Sequence, residues 1–318
     1  MTDSFGRTID YLRISVTDRC NLNCLYCKSE KGSTSCENLS AEEIVRICRI
    51  FSSLGITKVK ITGGEPLLRK DICSIIKKIK ALPEIQSLTL TTNGVLFLDI
   101  AEELLQCGVD SVNFSLDSLS QESFRKITGN DSFSVVLESI RKALLLDFKS
   151  VKINFTAIRE LNFDMIIPMA KLAKEYPVYV RFIELMPIGH GKQFSPIYTS
   201  EIKKLLSYEF GTPKELQLTG NGPAKYFQYG GFAGKIGFIS PLSECFCENC
   251  NKIRAASGGE LILCLGHEKS LNIKELFEKN LSDSNIMKII EEKIKEKPLN
   301  HNYFKKKPNE MEMYRIGG

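Results

Sequence analysis

The sequence predicts an α/β fold in which a partial (β/α)6 TIM-type barrel is followed by a module of short strands and helices. Apolar, β-branched runs alternate with segments of helical periodicity, and this alternation is typical of a parallel sheet with helical crossovers. It stops after Tyr198, where short runs rich in glycine and aromatic residues replace it. Motifs rich in cysteine and glycine follow the first two strands, which is where parallel β/α folds carry their chemistry.

Six segments have the residue types and lengths of strands buried in a sheet. They are Tyr11–Thr17, Lys58–Thr62, Ser87–Thr91, Ser111–Leu116, Val151–Ala157 and Val178–Leu185. The segments between them repeat apolar residues at helical spacing. The predicted helices are Ser40–Leu54, Asp71–Leu82, Asp99–Cys107, Phe133–Leu146 and Phe163–Glu175. Ser40 and Glu43 form a capping box that marks the start of the first helix.

We expect the chain to divide into two parts, the barrel in residues 1–198 and the second module in residues 199–318. The second module begins with a helix and ends in a polar tail. Its other predicted elements are short strands from Tyr226 to Ile239 and the helices Ile273–Asn280 and Asp283–Lys295.

Composition excludes several classes of protein. The chain has 318 residues, of which 43% are hydrophobic and 25% charged, as in an ordinary globular protein. No apolar run approaches the roughly 20 residues that span a bilayer, and the first residues lack the apolar stretch of a signal peptide. We therefore expect a cytoplasmic protein without a membrane partner. The net charge of +5 is mild, which argues against nucleic acid and is compatible with a polyphosphate substrate.

The chain contains eleven cysteines, which the reducing cytosol would keep as thiols rather than disulfides. Seven of them fall into two groups, one within Cys20–Cys27 and the other within Cys245–Cys264. Such grouping predicts metal binding at two places.

The first group has the spacing C-x3-C-x2-C, formed by Cys20, Cys24 and Cys27. Three thiolates from one loop can hold an iron-sulfur cluster and leave one iron open for another ligand. A zinc knuckle is the alternative, but zinc prefers a fourth protein ligand and no histidine lies nearby in the sequence.

The arrangement C-x3-C-x-Y-C, with Tyr26 in the aromatic position, resembles the signature of the radical S-adenosylmethionine superfamily. A second motif, Thr62-Gly63-Gly64-Glu65-Pro66, follows the second strand and resembles the motif that holds the methionyl amine of S-adenosylmethionine. The resemblance implies a 4Fe-4S cluster whose open iron binds this cofactor. It also makes Ser115 and Met186 candidate cofactor contacts, with packing at strand ends as the alternative.

The second group contains Cys247, Cys250 and Cys264 in the spacing C-x2-C-x13-C. Three thiolates again predict a cluster with an open iron, which would make residues 199–318 an auxiliary iron-sulfur module. A zinc ribbon completed by Cys245 is the alternative, because structural zinc takes four protein ligands.

The chain as a whole resembles the GTP 3',8-cyclase family of molybdenum cofactor biosynthesis. The resemblance includes the segment Leu12–Cys20, the Gly-Gly-Glu-Pro loop and the Gly-Gly terminus. It implies that the second cluster binds the guanine base, and that Gly317 and Gly318 enter the active site and assist catalysis together with Arg13. The residues implied to bind the substrate are Arg13, Lys60, Thr91, Lys152, Arg181, Lys252 and Arg254.

The resemblance also implies a reaction and its partners. A radical made from S-adenosylmethionine would abstract the ribose 3' hydrogen of GTP, and the sugar would then bond to C8 of guanine. A reductant protein such as flavodoxin or ferredoxin would supply electrons, and a cyclic pyranopterin monophosphate synthase would take the product. A homodimer stays open.

Lys60 and Lys252 stand where family members usually have arginine. The charge is kept, but the planar fork that arginine offers to a phosphate is lost, so substrate recognition could be looser. Two other functions stay open: a two-cluster radical enzyme that modifies a peptide or another nucleotide, and a non-enzymatic metal carrier. The Gly-Gly-Glu-Pro loop argues against the carrier.

Overall fold

A computed structural model of the chain describes residues 1–27, 38–217, 222–267, 271–303 and 313–317. Its strands are β1 (Tyr11–Ser15), β2 (Lys58–Thr62), β3 (Ser87–Thr92), β4 (Ser111–Ser115), β5 (Ser150–Ala157), β6 (Tyr179–Glu184), β7 (Lys214–Leu216), β8 (Lys225–Gln228), β9 (Lys235–Ile239), β10 (Lys252–Ala255), β11 (Glu260–Ile262) and β12 (Leu271–Asn272). Its α-helices are α1 (Ala41–Ser53), α2 (Ile72–Lys80), α3 (Phe97–Gln106), α4 (Gln121–Thr128), α5 (Phe133–Leu145), α6 (Arg159–Asn162), α7 (Ile166–Glu175), α8 (Thr199–Phe210), α9 (Ile273–Glu278) and α10 (Asp283–Lys295).

The strands form one sheet in the order β12-β11-β10-β1-β2-β3-β4-β5-β6-β9-β8-β7. The central eight strands, from β10 to β9, run parallel to one another. Helices connect the successive strands β1 to β6, as expected for right-handed crossovers in a β/α fold. The six predicted strands and the partial barrel are therefore confirmed.

The hydrophobic core lies between the sheet and its helices rather than inside the barrel. Successive side chains along a strand point to opposite faces of the sheet. In β5, accordingly, every second residue is buried. Val151, Ile153 and Phe155 belong to the apolar core, whereas Lys152 and Asn154 lie on the opposite face. The inner face of the sheet is thus lined by polar groups and is available for a ligand.

The second half of the chain adds strands to both edges of the six-stranded unit. β9 pairs with β6, and β10 pairs with β1, so the two edges of the predicted barrel are both extended by later residues. The predicted division after Tyr198 stays a prediction, because strands from either side of it share one sheet. Within the described residues, no helix combines the length and the apolar character that crossing a membrane requires.

Candidate functional site

A cavity of about 340 Å³ occupies the inner side of the sheet, and the two cysteine groups line its opposite ends. The loop that carries Cys20 follows the carboxyl end of β1. The second group lies at the other end, because Cys250 precedes β10, whose Lys252 pairs with Tyr11 at the start of β1. Cys264 reaches the same end, since β11 runs antiparallel to β10.

Contacts to the backbone fix the first cysteine loop. The N–H groups of Asn23 and Leu25 donate to the carbonyls of Thr128 and Ile127, 2.9 and 3.0 Å away at the end of α4. The Nδ2 atom of Asn93 lies 3.8 Å from the sulfur of Cys20. The sequence did not predict α4, and this helix holds the loop in place.

Tyr26 links the cysteine loop to the end of β4. Its hydroxyl donates to a carboxylate oxygen of Asp117, whose other oxygen accepts the N–H of Thr156 at 2.7 Å. Burial raises the pKa of Asp117 to about 6, while the hydrogen bonds from Tyr26 and Thr156 act in the opposite direction. Asp117 was missed in the sequence, although a carboxylate directly after a buried strand is a recognisable signal.

The two glycines after β2 allow two loops to touch. A Cβ atom on Gly63 would lie 2.7 Å from the carbonyl oxygen of Thr17, and one on Gly64 would overlap the carbonyl of Arg19. The N–H of Gly64 donates to the Thr17 carbonyl at 2.7 Å. Any larger residue would push the glycine loop away from the cysteine loop, and both glycines also line the cavity.

Glu65 does not line the cavity, because its side chain turns into the protein and is only 1% exposed. Its carboxylate accepts the N–H of Asn93 at 2.7 Å, the N–H of Leu67 at 3.1 Å and the hydroxyl of Thr92 at 2.8 Å. Burial outweighs these bonds and raises its pKa to about 7. Glu65 therefore positions Asn93, which in turn contacts the cysteine loop.

Cations from neighbouring strands converge on the middle of the cavity. Arg13 pairs in register with Lys60 on one side and with Arg254 on the other. Arg181 and Lys252 line the same space. Burial, followed by the charges of Arg181 and Arg13, holds the pKa of Lys60 well below its usual range.

Carboxylates are scarce around this cluster in the part of the cavity that the structure describes. Among the described lining residues the only carboxylate is that of Glu184. Its oxygens are already occupied by the N–H groups of Thr199, Leu242 and Ser243, at 2.9 to 3.0 Å. Several cations gathered in a partly desolvated cavity repel one another, and their charge favours an anionic ligand.

Two buried polar atoms on adjacent strands also lack partners. Asn154 and Arg181 are in register. Within the described part of the chain, Oδ1 of Asn154 accepts no hydrogen bond and Nε of Arg181 donates none. Both residues line the cavity. Buried polar groups are normally satisfied, so these atoms indicate a polar ligand that contacts β5 and β6.

Lys152 lies beside the cavity but does not line it. Its ammonium donates to the Ser150 hydroxyl and lies 5.5 Å from the centre of the Tyr179 ring. Burial, and secondarily the charge of Arg181, lower its pKa to about 8.

The other predicted contacts Thr91, Ser115 and Met186 all line the cavity. The Met186 sulfur accepts the hydroxyl of Tyr303 at 3.2 Å, which fixes its side chain.

Two buried cations tie the second cysteine group to the rest of the fold. Arg7 donates to the carbonyl of Cys247 at 2.7 Å and to that of Pro298 at 2.8 Å. Lys297, only 2% exposed, donates to the carbonyls of Lys252 and Leu263. Neither Arg7 nor Lys297 was predicted from the sequence.

The carboxyl tail returns to the carboxyl end of β2. Ile316 is fully buried, and Gly317 lies against the side chain of Thr62. Nη1 of Arg254 donates to the carbonyls of Ile316 and Gly317, both at 3.2 Å. Gly318 lies outside the described residues.

Neither three-cysteine group has the compact geometry of a site for a single zinc ion. Within the described residues, neither Cys20, Cys24 and Cys27 nor the set of Cys247, Cys250 and Cys264 brings all its sulfur atoms within 4.8 Å of one another. Sulfur ligands of one zinc ion lie closer together, because each zinc–sulfur bond is only about 2.3 Å long. A cluster of several iron atoms is larger than one zinc ion and takes its thiolates from farther apart.

The chain matches two family models and many named relatives over most of its length. Residues 14–173 match the family model of the Radical SAM superfamily, and residues 178–303 match the model called Molybdenum Cofactor Synthesis C. The chain is 44% identical to a GTP 3',8-cyclase of Clostridium perfringens strain 13 and 43% identical to one of Syntrophomonas wolfei. Each alignment covers 100% of both proteins.

Solved structures share the fold at much lower identity. Streptococcus suis SuiB, in a crystal structure with its precursor peptide SuiA, superposes with a TM-score of 0.65 and 15% identity. The superposition covers 96% of this chain and 75% of SuiB. At this identity the similarity bears on the fold alone.

Proposed function

The chain belongs to the radical S-adenosylmethionine superfamily and, within it, to the GTP 3',8-cyclase family, and from this membership we propose that it converts GTP into 3',8-cyclo-7,8-dihydro-GTP. The product is a precursor in molybdenum cofactor biosynthesis. One observation carries the proposal for this chain: a cation-lined cavity separates two groups of three thiols, and its described lining holds one carboxylate, which is already occupied. A nucleoside triphosphate carries the negative charge that would balance these cations.

The first thiol group would hold a 4Fe-4S cluster through Cys20, Cys24 and Cys27. Together with S-adenosylmethionine, this cluster supplies a 5'-deoxyadenosyl radical when both are bound. Gly63, Gly64, Ser115 and Met186 form the nearby wall of the cavity and would contact the cofactor. Tyr26 and Glu65 would act by holding the surrounding loops, because their polar atoms are engaged with Asp117 and Asn93.

The second thiol group would hold the auxiliary 4Fe-4S cluster through Cys247, Cys250 and Cys264. In this arrangement the guanine base of GTP lies at the amino end of the barrel, and its ribose points towards the first group. That orientation makes use of the opposite positions of the two groups in the cavity.

The triphosphate would lie among the cations between the two groups. Arg13, Lys60 and Arg254 form one continuous row across three strands, so they can contact several phosphate oxygens at once. Lys252, two residues before Arg254 on β10, and Arg181 on β6 line the same cavity. Thr91 adds a hydroxyl, and Lys152 adds charge from beside the cavity.

Lys60 and Lys252 would act as point charges where arginine would offer a fork. Both are half-buried, and desolvation lowers the pKa of Lys252 to about 7. A bound triphosphate favours the charged ammonium and restores the cation.

The tail would complete the site. Arg254 binds the carbonyl of Gly317 and also faces the cavity, so it connects the tail to the position of the triphosphate. Gly317, Gly318 and Arg13 would thus assist the reaction at the ribose end of the substrate.

We extend the proposal to the partners that this chemistry needs. A one-electron reductant protein such as flavodoxin or ferredoxin would reduce the first cluster. A cyclic pyranopterin monophosphate synthase would consume the product. A homodimer is compatible with the proposal.

The test measures whether conversion of the nucleotide is coupled to cleavage of S-adenosylmethionine. Anaerobically reconstituted enzyme is incubated with S-adenosylmethionine, a reductant and either GTP, ATP or no nucleotide, and 5'-deoxyadenosine and nucleotide products are measured by mass spectrometry. We expect GTP to be consumed in step with 5'-deoxyadenosine. Cofactor cleavage that leaves GTP unchanged would support the peptide-modifying alternative.

A further inference from the structure

Cys245, Cys247 and His301 form a group that differs in geometry from the two predicted cluster sites. Their sulfur atoms and one ring nitrogen all lie within 4.8 Å of one another. Tetrahedral zinc with bonds of about 2.0 to 2.3 Å needs its ligand atoms roughly 3 to 4 Å apart. The group is therefore compact enough for one metal ion after small side-chain adjustments.

His301 is held in the tautomer that a metal requires. Its Nε2 atom lies 2.9 Å from the carbonyl oxygen of Pro241, and because a carbonyl can only accept, Nε2 carries the proton. In the neutral ring Nδ1 then presents a lone pair. Nδ1 is buried and has no hydrogen-bond partner among the described residues. Metal-binding histidines commonly use a backbone carbonyl in this way to orient the ring.

Both sides of the group are fixed by buried charges. Glu184 accepts the N–H groups of Leu242 and Ser243 at 3.0 Å each, which anchors the turn that leads into Cys245. On the other side, Arg7 binds the carbonyls of Cys247 and Pro298, so it joins the cysteine loop to the segment that carries His301. The ring of His301 also stacks on Tyr303, with centroids 4.2 Å apart. These contacts restrict the segments that carry the three ligands.

We propose that Cys245, Cys247 and His301 bind one thiophilic divalent ion, of which Zn²⁺ is the probe of choice. Two thiols lose their protons to the solvent on binding, and the fourth position is open to water because Cys245 is exposed. A further consequence rests on the proposed function, in which Cys247 is also a ligand of the second cluster. The ion and that cluster therefore exclude each other, and zinc bound at this group blocks assembly of the second cluster.

Zinc X-ray absorption tests the ligand set directly. The full chain carrying C20A, C24A and C27A, which removes the first thiol group, is purified anaerobically without clusters, and its fold is checked by circular dichroism. It is then loaded with one equivalent of Zn²⁺. We expect about two sulfur neighbours near 2.3 Å and the outer-shell scattering of one imidazole.

Three substitutions in that background decide the assignment. H301N should remove the imidazole signal, and C245S should replace one sulfur neighbour by oxygen or nitrogen. H267N is the matched control, because His267 also uses Nε2 on a backbone carbonyl, that of Asn300 at 3.0 Å, and should change neither signal. Zinc surrounded by sulfur alone, or an imidazole signal that survives H301N, would overturn the site.

A competition experiment tests the exclusion separately. The otherwise unsubstituted chain is reconstituted with iron and sulfide in the presence or absence of one equivalent of Zn²⁺, and bound iron is counted. Zinc should reduce iron from about eight to about four atoms per chain, and C245S or H301N should restore about eight. If the protein without zinc never binds more than about four iron atoms, the two-cluster proposal fails. The zinc site is then still tested by X-ray absorption. Full iron loading beside bound zinc would overturn the exclusion.

Discussion

Gly317 lies directly against Thr62, so that a Cβ atom added to Gly317 would overlap the γ-methyl group of the threonine. Gly317 also has a φ of +80°, a conformation that other residues rarely adopt. Thr62 ends β2 and lines the cavity, which places the carboxyl tail beside the predicted site.

Gly317→Ala should displace the tail without unfolding the barrel. The added carbon meets Thr62 in a backbone conformation that is already unfavourable for alanine. We expect GTP conversion to fall at least tenfold, while cleavage of S-adenosylmethionine without nucleotide stays within about twofold. Both rates are measured by mass spectrometry on the same reconstituted protein.

Gly211→Ala is the matched control for that substitution. Gly211 has the same φ of +80°, but an added Cβ would meet no atom within 4 Å. It tests backbone strain without the steric overlap, and we expect normal GTP conversion. If the two variants convert GTP at the same rate, the contact between the tail and Thr62 does not matter for the reaction.

Lys60→Ala should weaken the nucleotide site. Loss of one charged hydrogen bond to a phosphate corresponds to roughly 1.5 to 3 kcal/mol, so the KM for GTP should rise about 10- to 100-fold. Lys149→Ala is the control, since Lys149 is 70% exposed and pairs with Asp110. An unchanged KM in the Lys60 variant would remove this residue from the binding site.

Binding of GTP should take up protons above neutral pH. Burial and Arg181 lower the pKa of Lys152 to about 8, so in the free protein its ammonium loses its proton as the pH rises through 8. A nearby triphosphate raises that pKa again, so affinity should fall with rising pH, by at most about tenfold per unit for one linked proton.

Calorimetry measures this linkage. GTP is titrated at pH 8.5 into the reconstituted enzyme without cofactor, in two buffers of different ionisation enthalpy. The wild-type chain should take up protons, and Lys152→Gln should take up fewer. Equal uptake by the two proteins would show that Lys152 does not sense the triphosphate.

Tyr26→Phe should loosen the first cysteine loop. The change leaves an oxygen of the buried Asp117 without its hydroxyl donor, at a cost of about 1 to 3 kcal/mol in the free energy of unfolding. Denaturant unfolding measures this loss, and we also expect less iron to stay bound after gel filtration. Tyr208→Phe, at a residue that is 94% exposed, should change neither quantity.

The sequence was sufficient for the six central strands and for the family to which the chain belongs. These strands are predictable because their outward residues, such as Val151 and Ile153, are apolar and alternate with polar ones. β10 was missed because its inward residues Lys252 and Arg254 interrupt a very short apolar pattern.

Residues that support the site through long-range contacts left no local signal. Arg7 binds the carbonyl of Pro298, which is 291 positions away in the chain. Lys297 and His301 likewise use carbonyls of distant loops. A carbonyl is present in every residue, so nothing in the sequence marks it as a partner until the fold brings both groups together.

The most direct test of the cyclase assignment uses GTP deuterated at the ribose 3' position. The reconstituted enzyme is incubated anaerobically with labelled GTP, S-adenosylmethionine and a reductant, and 5'-deoxyadenosine is analysed by mass spectrometry. Our account predicts that the deuterium appears in 5'-deoxyadenosine. Unlabelled 5'-deoxyadenosine from a preparation that contains both clusters would contradict it.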